Sequence, residues 1–237
     1  MGKALFVTAT GTDVGKTYVT ALLLKTLREQ GVDAGYYKAA LSGAERINGQ
    51  RIPGDAAYVC AIAGLPEPPL SLVSYCYDTA VSPHLAAQLE GNPPVLDKIA
   101  ADFEAAARRH AYVCVEGSGG IVCPLRIDGQ ETLMLTDVIR RLGLSLLIVA
   151  GAQLGTINST VLTVSYARAL HIPVRGIILN RYEADNFLHR DNREQIQAMT
   201  GVPVVACVAD GAQELNMDAA ALCALFGDTH GGKGQRK

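Results

Sequence analysis

Short apolar runs rich in Val, Ile and Leu recur along the chain and alternate with longer stretches of helical periodicity. The runs cover residues 4–8, 34–37, 111–115, 144–150, 174–179 and 204–208. Each is nearly continuous in its hydrophobicity, the pattern of a strand buried on both faces. Between the first two runs, residues 18–30 place Leu22, Leu23 and Leu27 at helical intervals. Residues 56–63, 83–89, 95–110, 133–142, 156–170 and 188–200 predict further helices. Such alternation predicts an α/β fold, doubly wound, with a mostly parallel sheet covered by helices on both faces. In that architecture the loops beyond the carboxyl ends of the strands carry the ligand site.

Punctuation along the chain fits one domain. The proline clusters at 66–69 and 92–94 read as turns, and residues before Asp55 as an irregular loop. No repeat and no linker divides the chain, so residues 1–230 form one expected domain. Residues 231–237, rich in Gly and Lys, read as a frayed tail.

Composition narrows the classes. Of 237 residues, 49% are apolar and 19% charged, a globular balance that excludes disorder. A net charge of −2 provides no basic field, so no nucleic-acid partner is expected. The pairs Arg108-Arg109 and Arg140-Arg141 read as solvated helix faces. The apolar stretch 142–152 is broken by Gly143, Ser145 and Gly151 and is too short to span a bilayer. No charged leader with a long apolar segment opens the chain. Six cysteines show no C-x-x-C spacing and read as buried free thiols. The expectation is a cytoplasmic protein with no membrane partner.

The chemistry concentrates first at Thr10-Gly11-Thr12-Asp13-Val14-Gly15-Lys16-Thr17. The segment follows a predicted strand and opens a predicted helix, the context of a phosphate-binding loop. Gly11 and Gly15 let backbone N–H groups turn toward phosphate oxygens, and the helix adds its positive end. Lys16 is expected to reach the β- and γ-phosphates, and the Thr17 hydroxyl to reach Mg2+. The strict pattern has Gly where this chain has Thr10. Asp55 alone reads equally as the N-cap of the helix at 56–63 or as a metal ligand. Ser82 and Pro83 read as a helix start.

Further segments join the loop in order. Lys38-Ala39-Ala40-Leu41-Ser42-Gly43 follows the second strand, and Glu116-Gly117-Ser118-Gly119-Gly120 follows another. Leu154-Gly155-Thr156-Ile157-Asn158 follows the next, and Asn180 ends one more. Over roughly three-quarters of its length the chain thereby resembles the dethiobiotin synthetase family of P-loop NTPase-like ligases. It departs from the family's usual Gly, Pro and Ala at Ala9, Ala39 and Ser118.

The resemblance implies an ATP- and Mg2+-dependent ligase acting on 7,8-diaminopelargonate and CO2 or bicarbonate. It implies a carbamate, then a carbamic–phosphoric anhydride, then closure of a ureido ring. Lys16 and Lys38 match the lysines that stabilise phosphoryl transfer, with Thr12 and Ser42 as donors toward the carbamate. Asp13, Val14, Gly15, Lys16, Thr17, Glu116 and Asn180 match nucleotide-binding positions, with Asn180 reading the base. Thr17, Asp55 and Glu116 match the metal ligands. Gly155, Thr156 and Asn158 match the holder of the substrate carboxylate, which in the family comes from the neighbouring subunit of a homodimer. Two other readings stand beside this one: an amidotransferase-type ligase of the same superfamily and a dimerising ATPase switch. The first lacks room here for a glutaminase domain, and the second calls for a lysine where this chain has Gly11.

Overall fold

The structure, a computed structural model, describes residues 2–228; the tail reading for residues 231–237 lies outside them. In chain order the strands are β1 (Lys3–Ala9), β2 (Ala34–Leu41), β3 (Glu45–Ile47), β4 (Gln50–Ile52), β5 (Val73–Cys76) and β6 (Tyr112–Glu116), followed by β7 (Pro124–Ile127), β8 (Thr132–Met134), β9 (Leu146–Gly151), β10 (Val174–Asn180), β11 (Val204–Val208) and β12 (Gly227–Asp228). The helices are α1 (Lys16–Glu29), α2 (Gly54–Ala63), α3 (Pro83–Leu89), α4 (Leu96–Arg109), α5 (Leu135–Leu142), α6 (Thr156–Ala169), α7 (Phe187–Thr200) and α8 (Ala219–Cys223).

The main sheet runs β11-β10-β9-β1-β6-β2-β5, all parallel, and β12 adds one short antiparallel pairing to β1. Its central strands are buried along nearly their whole length, as their unbroken hydrophobicity predicts. Leu5 and Val7 face a core with Leu23 and Leu27 of α1 and Val59 of α2. Phe6, Val113 and Val115 face the opposite core, with Ile99 and Phe103 of α4 and Val138 and Ile139 of α5. This alternation of faces follows from the two-residue period of a strand. Each such large side chain contributes roughly 1.5–3 kcal/mol on burial. All six cysteines are unpaired. No described helix is long and apolar enough to cross a membrane.

Three expectations are corrected. The loop before Asp55 is an antiparallel hairpin, β3–β4, turning at Asn48 (φ 51°) and Gly49 (φ 79°). That pair of left-handed residues is what a two-residue hairpin turn needs. The helix expected from residue 133 starts at Leu135, because Leu133 lies in the hairpin β7–β8. Asp55 is not an N-cap: Pro53 holds that position, and Asp55 sits inside the first turn of α2.

Candidate active site

The loop between β1 and α1 is anchored where Thr10 N–H donates to Val149 O at 3.0 Å. Gly15 has φ +87°, and a Cβ there would stand 2.1 Å from Asn180 Nδ2. Only glycine accepts both the left-handed backbone and that approach. Asn180 Nδ2 in turn donates to Val14 O at 2.9 Å, so the end of β10 supports the loop from below. Asn180 Oδ1 is buried with no donor. Helix α1 begins at Lys16 with no side-chain cap and no acidic residue in its first turn. Its first N–H groups and its positive dipole end are therefore available to an anion.

Beside the loop, register gathers charge. β2 and β6 pair Lys38 directly with Glu116. Glu116 Oε1 accepts from Lys38 Nζ at 2.7 Å, from Lys16 Nζ at 2.7 Å and from Thr17 Oγ1 at 2.9 Å. Lys38 Nζ also donates to Asp55 Oδ2 at 2.6 Å and to Gly117 O at 3.2 Å. Tyr36, two residues before Lys38 and so on the same face, donates its hydroxyl to Glu116 Oε2 at 3.3 Å. Lys38 and Glu116 are each 1% exposed, which excludes a surface role for that lysine.

Two cations and two carboxylates thus neutralise one another in a site largely withdrawn from water. Burial, reinforced by repulsion from Lys38, lowers the pKa of Lys16 despite Glu116 beside it. Burial pulls Lys38 the same way, but Glu116 and Asp55 outweigh it and raise its pKa. Burial alone would raise Glu116; the two ammonium groups reverse this and hold its carboxyl far below the usual range.

Over this cluster opens a cleft of about 890 Å³. Thr12, Asp13, Gly15, Lys16, Thr17, Lys38, Ser42 and Asp55 line it, and Glu116 lies beneath, bonded to both lysines. The Ser42 hydroxyl donates to Val81 O at 2.6 Å and so presents lone pairs to the cleft. Val14 and Asn180 brace the loop without lining the cleft. Gly155, Thr156 and Asn158 do not line it either. Gly155 (φ +92°) precedes α6, which again has neither a side-chain cap nor a first-turn acid. Thr156 Oγ1 turns inward to Gly151 O at 2.6 Å, while Asn158 is exposed.

Residues not singled out in the sequence also belong here. Tyr36 was findable, since strand periodicity puts it on the Lys38 face. Arg181 lines the cleft with φ 55° and has no partner among the described residues. Cys123 lines it as well, and no sequence signal marks either residue. His84 has a buried Nδ1 without a partner and does not reach the cleft.

Comparison with known proteins adds to this geometry. A family model described as an AAA domain matches residues 3–213. The curated ATP-dependent dethiobiotin synthetase BioD of Brachyspira hyodysenteriae is 49% identical over 216 residues, covering 91% of this chain and 96% of its own. That of Clostridium botulinum (strain Eklund 17B / Type B) is 48% identical over 207 residues, covering 87% and 91%. Among solved structures, the MinC:MinD cell division complex of Aquifex aeolicus aligns with TM-score 0.57 at 14% identity, over 90% of this chain and 83% of that one. A ParA family ATPase from Chlorobium tepidum gives 0.52 at 14%, over 88% and 84%. At such identity the likeness is one of fold: a P-loop NTPase-like parallel sheet.

Proposed function

The chain belongs to the ATP-dependent dethiobiotin synthetase family, and from that membership we propose that it closes the ureido ring of dethiobiotin from 7,8-diaminopelargonate, CO2 or bicarbonate, and ATP. Carboxylation of one amine gives a carbamate. A carbamate oxygen attacks the γ-phosphorus, the bond to ADP breaks, and a carbamic–phosphoric anhydride forms. The second amine attacks the carbonyl carbon, loses its proton, and phosphate departs with the C–O electron pair.

The observation that carries this reading is the convergence of Lys16 and Lys38 on one oxygen of Glu116 at the floor of one cleft. A carbamate and a triphosphate repel each other, and the reaction needs fixed positive charge between them. Lys16 and the first turn of α1 are assigned to the phosphates, and Lys38 to the carbamate side. Thr12 and Ser42 face the carbamate and amine groups, the lone pairs of Ser42 suiting an amine N–H. Asn180 takes the base-reading role from family membership alone, since its side chain lies under the loop and outside the cleft.

Mg2+ belongs to the reading. Thr17, Glu116 and Asp55 carry the hard oxygens this ion takes, and Thr17 and Glu116 already lie within hydrogen-bonding distance. Among the described residues no group of three His, Cys, Asp or Glu could cage an ion by itself. Mg2+ takes few protein ligands and completes its shell with phosphates and water. When bound it would neutralise phosphate charge. The reading includes a cytoplasmic enzyme, a compartment where free thiols persist.

A homodimer with shared sites completes the proposal. Gly155, Thr156 and Asn158 lie away from their own cleft, with Leu154 82% and Leu162 60% exposed beside them. Asn158 and Leu162 share a helix face, one turn apart. The N-terminus of α6 would take the substrate carboxylate of the neighbouring subunit. Mixing Lys16→Ala subunits with Asn158→Ala subunits should then restore part of the activity lost in each. Heterodimers without recovery would argue for self-contained sites.

The direct test is a product assay with diaminopelargonate, bicarbonate, Mg2+ and each nucleotide in turn. ATP consumption requiring both diamine and bicarbonate is expected. Hydrolysis stimulated by DNA or lipid and indifferent to diamine would instead favour the switch reading.

A further inference from the structure

Ser42 and Asp55, both assigned above to the substrate and metal side of the cleft, are the two ends of one excursion that contains the hairpin β3–β4. That hairpin has no apolar anchor: β3 is exposed throughout and β4 is at best half-buried. Hydrogen bonds and ion pairs hold it instead, and they centre on Arg51. Its Nε donates to Asp78 Oδ1 at 2.6 Å and its Nη2 to Asp78 Oδ2 at 3.0 Å, a two-pronged grip on one carboxylate. Its Nη1 donates to Cys76 O at 2.5 Å, and Nη2 lies 3.4 Å from Glu90 Oε2 at the end of α3. Glu90 Oε1 in turn accepts from Thr79 N–H at 2.9 Å.

The segment so fixed, residues 76–81, is the one that holds the start of the excursion. Tyr77 O accepts from Ala44 N–H at 2.9 Å, Thr79 O from Gly43 N–H at 3.1 Å, and Val81 O from Ser42 Oγ. Val81, Ser82 and Pro83 then continue along the cleft wall. At the other end, Pro53 and Gly54 are all that separate Ile52, next to Arg51, from Asp55. None of these contacts touches Lys16, Thr17 or Asn180.

We propose that Arg51 is a positioning residue for the diamine side of the site, acting through Asp78 and the 76–81 segment on both Ser42 and Asp55. The inference rests on the functional reading given above. Its chemistry requires arginine: three of its nitrogens contact acceptors on different residues, and a lysine ammonium cannot reproduce the planar fork. Arg46 also reaches Asp78, at 2.9 Å, but its side chain is 54% exposed and its share is small.

The test compares Arg51→Lys, Asp78→Asn and Arg46→Ala with the wild type. Arg51→Lys and Asp78→Asn should raise the KM for diaminopelargonate about tenfold or more, the scale set by slight misplacement of a reacting group. The Kd of a fluorescent ATP analogue measured without diamine and without Mg2+ should stay within about twofold, since the phosphate loop is anchored separately. Arg46→Ala should behave as wild type. Hydrogen exchange supplies a readout independent of turnover: the Gly43 and Ala44 amides should exchange faster in both variants, the phosphate-loop amides should not. An unchanged diamine KM with unchanged exchange overturns the proposal. So does a parallel loss of diamine and nucleotide binding, the mark of general loosening. A wild type that makes no dethiobiotin, combined with the selective exchange change, would leave the clasp intact and sink the functional reading instead.

Discussion

Lys38→Ala is expected to lower kcat by at least ~10²-fold, and Lys16→Ala to fall at least as far, because each removes charge that would stabilise phosphoryl transfer. The two losses should differ in kind. Lys16 opens α1 and faces the phosphate loop, so its removal should weaken nucleotide binding as well as turnover. Lys38 rises from β2 into the floor between Glu116 and Asp55, so its removal should spare nucleotide binding and reduce kcat. Steady-state rates at saturating substrates, set against nucleotide Kd, separate these outcomes. Normal turnover by folded Lys38→Ala enzyme would remove that lysine from the mechanism.

Glu116→Gln is expected to destabilise the enzyme at pH 7 by about 3–5 kcal/mol, the scale for leaving a buried ion network without its counter-charge. Among the described residues Glu116 is the only carboxylate bonded to both Lys16 and Lys38, and its side chain is fully buried. The sign with pH follows from its lowered carboxyl pKa. The stabilisation is complete above about pH 4.3, the unfolded value, and fades as pH falls toward the folded one. The gap between wild type and variant in urea should therefore be widest near neutrality and close in acid. The variant should also need more Mg2+ for activity. A wild-type urea midpoint with an unchanged Mg2+ titration would show that the carboxylate neither holds the lysines nor serves the metal.

Sequence carried the fold well where a single period dominates. The expected strands at 4–8, 174–179 and 204–208 differ by at most a residue from the observed ends of β1, β10 and β11. β5 was not legible: it is a four-residue edge strand, Val-Ser-Tyr-Cys, in which no period can establish itself. The hairpin β3–β4 was missed although Asn48-Gly49 announces it, because Glu45-Arg46-Ile47 and Gln50-Arg51-Ile52 show no buried face. At the site, motifs identified the phosphate loop and Glu116 one by one, and their meeting with Lys38 and Asp55 came from the family resemblance, not from any local pattern. That meeting depends on β6 lying between β1 and β2 and on the pairing of Lys38 with Glu116, a matter of strand order and register. Arg181 illustrates the remainder: a left-handed backbone and a place on the cleft are tertiary facts with no local signature.

The crowding of three donors on a single Glu116 oxygen has a consequence for how the enzyme meets its nucleotide. Its carboxylate plays the part of a resident anion, matched to both lysines. On the proposed function, capturing a phosphate would be an exchange of partners within a closed circle of charge, not the quenching of a bare positive pocket. Discrimination would be sharpened by this trade, since a ligand has to offer those ammonium groups better geometry than Glu116 does.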